Sequence, residues 1–358
     1  MGSCDVSIVS PRLDTKPWGG RKLTRFGLPL PEGEAIGEAL VTADDAVITA
    51  GVGVGRTLGD LVQEAPDIRL GADAAAAVSG KHIFPLLVKL IDAAENLSIQ
   101  VHPDDVLAQP LNKLGKTEAW HILASEGEGS IYIGLKQDVD TALFMEHAHL
   151  LDGTSAADLR KVQAISGETF LIPAGTVHAL GAGVMVYEIQ QPSDVTFRLD
   201  DWGRVDAQGN PREMHLEQGE IALRPALRPR EIPGIRLDVE GSRTLLTACR
   251  YFALERLELA EMTSVLIGQA TTPNVVTVLA GQLTLSGHAL VAGESAVIWP
   301  GDEPVACTAN ADTIALRSWV PNLQRDVIAP ARDAGAGESD IAALGGMTGD
   351  VAAALTGS

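Results

Sequence analysis

Cysteine is scarce in this chain. The three present, Cys4, Cys249 and Cys307, are far apart and odd in number, and no Cys-x-x-Cys pair exists. Neither a disulfide framework nor a thiolate zinc site is supported, and a reducing compartment is expected. Long apolar runs are also missing: no stretch reaches the ~20 residues that a membrane span needs. The first twenty residues (MGSCDVSIVSPRLDTKPWGG) lack a basic segment leading into an apolar run, so no secretory signal is expected. The Met-Gly start does not make a myristoylation site, because Val6 stands where Ser or Thr is required. A cytoplasmic location with no membrane partner is the expectation. Positive charge is short as well. The 27 Lys and Arg against 47 Asp and Glu leave a formal net charge of −20. That surface repels a phosphate backbone and argues against a nucleic-acid partner. An anionic substrate must therefore meet a local cluster of basic groups.

What remains is the composition of an ordinary globular protein, with 46% hydrophobic and 21% charged residues. At 358 residues there is room for two domains. Most of the chain reads as short strands between Gly, Pro and Asp turns. The segments 97–102, 130–135, 169–174 and 184–190 are rich in β-branched residues, and 243–259, 274–287 and 294–301 have the same texture. This spacing favours an all-β sandwich or barrel over alternating β/α units. Helical signals are few. Thr57 and Asp60 fit a capping box opening a short helix. Apolar residues recur at helical spacing from Asp140 to about Leu151 and from Ser155 to about Gln163. The Pro- and Arg-rich segment 224–234 reads as a linker between a first unit over 1–223 and a second over 235–325. The stretch 326–358, rich in Ala, Gly and Asp, reads as a flexible or weakly helical tail.

Three segments of the first unit supply candidate metal ligands. Gln100 and His102 alternate along one strand, so both side chains point to one face while Val101 points to the other. Glu118 precedes another strand. His178 ends the segment Pro-Ala-Gly-Thr-Val-His, where Pro173 and Gly175 fit a tight turn. Two imidazoles, a carboxylate and an amide oxygen make a nitrogen/oxygen site suited to Zn²⁺, and one that iron or manganese would also fit. The spacing from Gly167 through Pro173 and Gly175 to His178 is the second sequence motif of cupin barrels. The expected fold is thus mainly β: two cupin (double-stranded β-helix, jelly-roll) barrels in tandem, with a few short helices. The second copy repeats Gly293 and Pro300-Gly301-Asp302 without a histidine, so it reads as degenerate and only the first should carry chemistry. The other histidines are weaker candidates: His147 and His149 lie in a polar helical stretch and read as solvent-facing, and His288 stands alone. Gly115-Lys116-Thr117 is no phosphate loop, because Pro110 occupies the required upstream Gly position, and Gly51, Gly53 and Gly55 are turns.

The segments 95–105 (ENLSIQVHPDD), 114–123 (LGKTEAWHIL), 172–181 (IPAGTVHALG) and 187–204 (YEIQQPSDVTFRLDDWGR) resemble the signature segments of the type I phosphomannose isomerases, and 16–20 (KPWGG) and 84–93 (FPLLVKLIDA) agree. The resemblance runs from about Lys16 to Arg204 and is that of a compact bacterial form. It implies a zinc-dependent aldose–ketose isomerase acting on a phosphorylated hexose, as a monomer or homodimer. It implies one Zn²⁺ per chain on Gln100, His102, Glu118 and His178, phosphate contacts at Ser98 and Lys116, an essential arginine at Arg198 and an acid/base carboxylate at Glu188. Phe197 and Asp200 depart from the family pattern beside that arginine, which leaves relaxed sugar specificity open. A cupin dioxygenase or other metal-dependent oxidoreductase is the rival on ligand chemistry, and a non-catalytic sugar-phosphate sensor is another on the same fold.

Overall fold

The strand Val184–Gln190 is buried along its whole length, which a strand tolerates only when both faces of its sheet are covered. In the computed structural model, which describes residues 5–206, 208–240 and 242–357, four sheets account for this. Cys4 lies outside the described residues, and Cys249 and Cys307 are buried free thiols.

Val184–Gln190 lies inside a six-stranded antiparallel sheet, in the order Thr169–Ile172, Glu118–Ser125, Val184–Gln190, Leu87–Ala93, Ile36–Thr42 and Arg12–Gly20. A five-stranded sheet faces it, in the order Phe197–Asp200, Ile99–Val101, His178–Leu180, Ser130–Leu135 and Leu159–Gln163. Trp18, Ile91, Trp120, Ile133, Phe170 and Val186 fill the space around and between them. The far side of the five-stranded sheet buries Ile99, Val101 and Leu199 with Phe144 and Ala222 of the helices Thr141–Ala148 and Leu216–Ala222. The second unit pairs an eight-stranded sheet with a four-stranded one around Leu257, Val276, Leu283 and Cys307.

The two units stack back to back. Leu90, Ala119, Met185 and Tyr187 share one core with Leu245, Leu254, Val275 and Leu316. The Tyr187 hydroxyl lies 2.9 Å from Ser318 Oγ across that seam. The molecule is thus mainly β, as expected. In neither unit do the ladders close on themselves, so each is an open two-sheet jelly roll rather than a closed barrel.

Three expectations need amending. The break at 224–234 does not divide the sheets: Val6–Val9 and Ile48–Gly51 pair in the eight-stranded sheet, with Val6 opposite Ile298, so the first unit's chain begins as part of the second unit's fold. The region after Asp326 is a run of short helices whose Val327, Ile328, Ala331, Ile341, Leu344 and Val351 are buried in the shared core. The stretch 155–163 is one helical turn followed by the strand Leu159–Gln163, because pairing with Ser130–Leu135 outweighs its helical spacing. Two helix starts stand as read. Thr57 and Asp60 form a reciprocal capping box at Leu58–Glu64, and Asp140 caps Thr141–Ala148.

Candidate active site

His178, Gln100 and Arg198 form a row across three neighbouring strands of the five-stranded sheet. His178 and Arg198 are each Cα partners of Gln100, so the three side chains leave the sheet on one face. Ser98 and His102 flank Gln100 on the same face by the two-residue alternation. Opposite, on the six-stranded sheet, Glu118 is the Cα partner of Gln190, and Glu188 lies between Trp120 and Lys89. The turn that delivers His178 depends on Gly175. Its φ is +90°, its N–H donates to the His102 carbonyl at 2.8 Å, and a Cβ there would lie 2.5 Å from Arg224 Cγ.

The ligand atoms of His102, Glu118 and His178 lie within 4.8 Å of one another, all three residues buried. Among the described residues this is the one such group. Glu118 Oε2 is 3.4 Å from His102 Nε2 and Oε1 is 3.3 Å from His178 Nε2. Gln100 Nε2 lies 3.3 Å from His178 Nε2, and Ser98 Oγ donates to Gln100 Oε1 at 3.3 Å. Each imidazole is oriented from behind. His102 Nδ1 is 3.0 Å from the Val195 carbonyl and His178 Nδ1 is 2.8 Å from the Thr176 carbonyl. A carbonyl only accepts, so Nδ1 carries the proton in both rings and each Nε2 turns a lone pair towards Glu118.

The electrostatics favour the same outcome. Burial pushes the His102 imidazole down to about 3, and Lys116 adds to that. Burial likewise lowers His178. Both rings are neutral at pH 7, the form that binds a cation. Burial works to raise Glu118, but the Lys116 ammonium opposes it, and the carboxyl is held well below its usual range. Glu118 Oε1 makes no hydrogen bond, and Oε2 meets only the Lys116 ammonium, at 2.9 Å. An ionised carboxylate so placed calls for a cation, and two neutral imidazoles, a carboxylate and an adjacent amide fit a divalent one.

Lys116 sits in this group, with Nζ 2.9 Å from Glu118 Oε2 and 3.0 Å from His102 Nε2. A cleft of about 520 Å³ opens above, lined by Ser98, Gln100, Lys116, Glu188 and Arg198, with Lys16, Lys89 and Arg212 at its walls. With Arg12 and Lys113 these cations face Asp14, Glu38, Asp44, Asp45, Glu188 and Asp194 in the same cleft, so its lining is nearly balanced in charge on a molecule that is strongly negative overall. Arg198 donates from Nη1 to the Glu213 carbonyl at 2.7 Å, and its Nε has no partner. Burial and the neighbouring Arg212 lower its pKa, though a guanidinium stays charged throughout.

The setting of Glu188 is not legible in the sequence: Lys89 Nζ holds it at 3.2 Å and the Trp120 indole N–H donates to it at 2.8 Å. Burial alone would lower Lys89; Glu188 and Glu38 outweigh it and raise its pKa above the ordinary lysine value. The available signal was a lone lysine amid the apolar run 84–93. Asp200 does not line the cleft. Its carboxylate accepts from the Gly153 and Trp202 backbone N–H groups and from the Ser155 hydroxyl, so it anchors a loop instead of retuning the pocket beside Arg198. His147 is half-buried against Asp158 at 2.6 Å rather than free in solvent, whereas His149 is exposed.

Comparison with known proteins finds relatives over most of the chain. A profile of the phosphomannose isomerase type I catalytic domain matches residues 9–126. The mannose-6-phosphate isomerase of Streptococcus mutans is 31% identical over 302 residues, covering 81% of this chain and 91% of its own length. Mannose-6-phosphate isomerase ManA of Bacillus subtilis is 32% identical over 263 residues, covering 71% and 79%. Among solved structures, the mannose 6-phosphate isomerase of Bacillus subtilis matches with a TM-score of 0.75 at 26% identity, over 88% of this chain and 99% of that one. A zinc-bound mannose 6-phosphate isomerase matches with a TM-score of 0.70 at 17% identity, over 88% and 99%, which speaks for the fold alone. Among the described residues no helix is long and apolar enough to cross a membrane.

Proposed function

The chain belongs to the type I phosphomannose isomerase family, and from that premise we propose that it interconverts mannose 6-phosphate and fructose 6-phosphate through a cis-enediol, using one zinc ion per chain. The observation that carries the reading is the convergence of His102, Glu118, His178 and Gln100 beside a cleft that Gln100, Lys116 and Arg198 line. A divalent cation held by these four residues would supply Lewis-acid polarisation of the sugar oxygens.

The remaining chemistry falls to side chains of the cleft. Moving a proton between C1 and C2 needs a base poised over the sugar, and Glu188 fills that role. Trp120 and Lys89 fix its orientation, and a general base of this kind contributes roughly 10²–10⁴-fold. Arg198 balances the negative charge that develops on oxygen, with an Nε free of other partners. Lys116 and Ser98 hold the phosphorylated substrate and set the distance of its reacting carbons from Glu188.

A coupled isomerase assay on mannose 6-phosphate, run before and after chelation and again after adding zinc, tests the proposal. Activity should vanish on chelation and return with zinc. Full activity in the metal-free protein would overturn the reading.

A further inference from the structure

The second jelly roll carries no candidate chemistry of its own, yet one of its side chains reaches the loop that bears Lys116. Tyr251 sits in the turn of the hairpin Arg243–Ala248 and Ala253–Leu259. Its hydroxyl donates to Asp105 Oδ2 at 2.6 Å. Asp105 Oδ1 in turn accepts from the Gly115 N–H at 2.8 Å and from Gln191 Nε2 at 3.0 Å. Gln191 Oε1 accepts from the Thr117 N–H at 2.9 Å. The Lys116 N–H between them donates to the Pro103 carbonyl at 3.0 Å. Three consecutive amides around Lys116 are therefore each pinned by a partner distant in sequence, two of them through the Asp105–Gln191 pair. Gly115 is needed for this fit, because a Cβ there would lie 2.6 Å from the Asp105 nitrogen. The Tyr251 turn is itself held from behind. Arg250 N–H donates to Asp350 at 3.1 Å and the Ala248 N–H to the Leu344 carbonyl at 3.0 Å, both in the C-terminal helices.

We propose that Tyr251 and Asp105 are positioning residues through which the second jelly roll and the C-terminal helices fix the backbone at Gly115–Thr117, and with it the Lys116 ammonium that receives the substrate anion. They touch neither the candidate ligands nor the cleft, so their effect passes through Lys116. The kinetic arm of the test rests on the isomerase reading; the exchange arm does not.

The experiment compares the full-length, zinc-loaded protein with Tyr251→Phe and Asp105→Asn. Tyr251→Phe removes one hydroxyl and no ring packing. It should raise KM for mannose 6-phosphate roughly tenfold with kcat held within about twofold, the loss of one hydrogen bond to a charged group felt in ground-state binding. Deuterium uptake over 113–118, measured without substrate, should rise in both variants while zinc content and Tm stay at the wild-type values. In a Lys116→Ala background Tyr251→Phe should leave KM where it is. The proposal fails if KM or uptake is unchanged, if the same KM rise persists in the Lys116→Ala background, or if zinc content and Tm fall in step with KM. A wild-type protein without isomerase activity would end the isomerase reading, and the uptake comparison would then decide the positioning role alone.

Discussion

Arg198 stands directly opposite Gln100 on adjacent antiparallel strands, so the guanidinium and the amide rise side by side from one sheet face. The pairing ties a charge to the ligand set without making it a ligand: Arg198 contacts neither imidazole nor Glu118 within hydrogen-bond range. Removing it should spare the cation and cost the transition state. Arg198→Ala is expected to lower kcat by roughly 10²–10³-fold, the range seen when one preorganised charge-stabilising donor is lost. Zinc content, read by elemental analysis of the purified variant, should stay at the wild-type level. An unchanged kcat would remove Arg198 from the mechanism.

His178 and His102 predict the opposite pattern. Each offers Nε2 to the centre while its Nδ1–H is tied to a backbone carbonyl. His102→Ala or His178→Ala should abolish isomerisation and cut zinc occupancy together. A variant that kept its activity with no bound metal would refute the assignment.

Much of this arrangement is legible in the sequence because it is local. Gln100 and His102 announce one face by their two-residue spacing, and Pro173, Gly175 and His178 announce a turn feeding a strand. The strand Val184–Gln190 is visible as an apolar run because it is covered on both sides. What was not legible is non-local. Nothing in Val6–Val9 says that its partner is Ser295–Ile298, nearly the whole chain away. Nothing in Leu159–Gln163 distinguishes a strand from a helix until Ser130–Leu135 lies beside it. The Ala-rich end looked too weakly apolar to fold, yet Ile328, Ile341, Leu344 and Val351 complete a core that the two sheets leave open. Lys89 is the same lesson at the site: its meaning lies in Glu188, opposite it on the neighbouring strand.

Lys116 separates phosphate binding from metal binding. Its ammonium is buried against Glu118 and His102 and also borders the cleft. Lys116→Ala should raise KM for mannose 6-phosphate far more than for free mannose, because only the phosphorylated sugar loses a charge partner. An order of magnitude or more is expected from a charge-assisted contact worth about 1.5–3 kcal/mol. Steady-state kinetics on both sugars provides the check, and equal effects on the two would eliminate the phosphate role.

The last expectation concerns stability, and it lies on the far face of the strand that carries Glu118. His121 is buried, its Nδ1 2.9 Å from Thr169 Oγ1, on the side that meets the second unit. Burial lowers its pKa to about 4, with Arg256 adding to the shift. In the unfolded chain a histidine titrates near 6.5. Between these values the unfolded state binds the proton and the folded state does not, so stability is full above about pH 6.5 and falls as the pH drops towards 4. From pH 7 to pH 5 this one group should cost about 2 kcal/mol. His121→Asn keeps a polar partner for Thr169 and removes the titration. Urea unfolding at the two pH values should therefore show a smaller acid-induced loss in the variant, by about that amount. Equal losses in the two proteins would mean that the buried His121 does not resist protonation, and that acid acts on the seam between the two units through other groups.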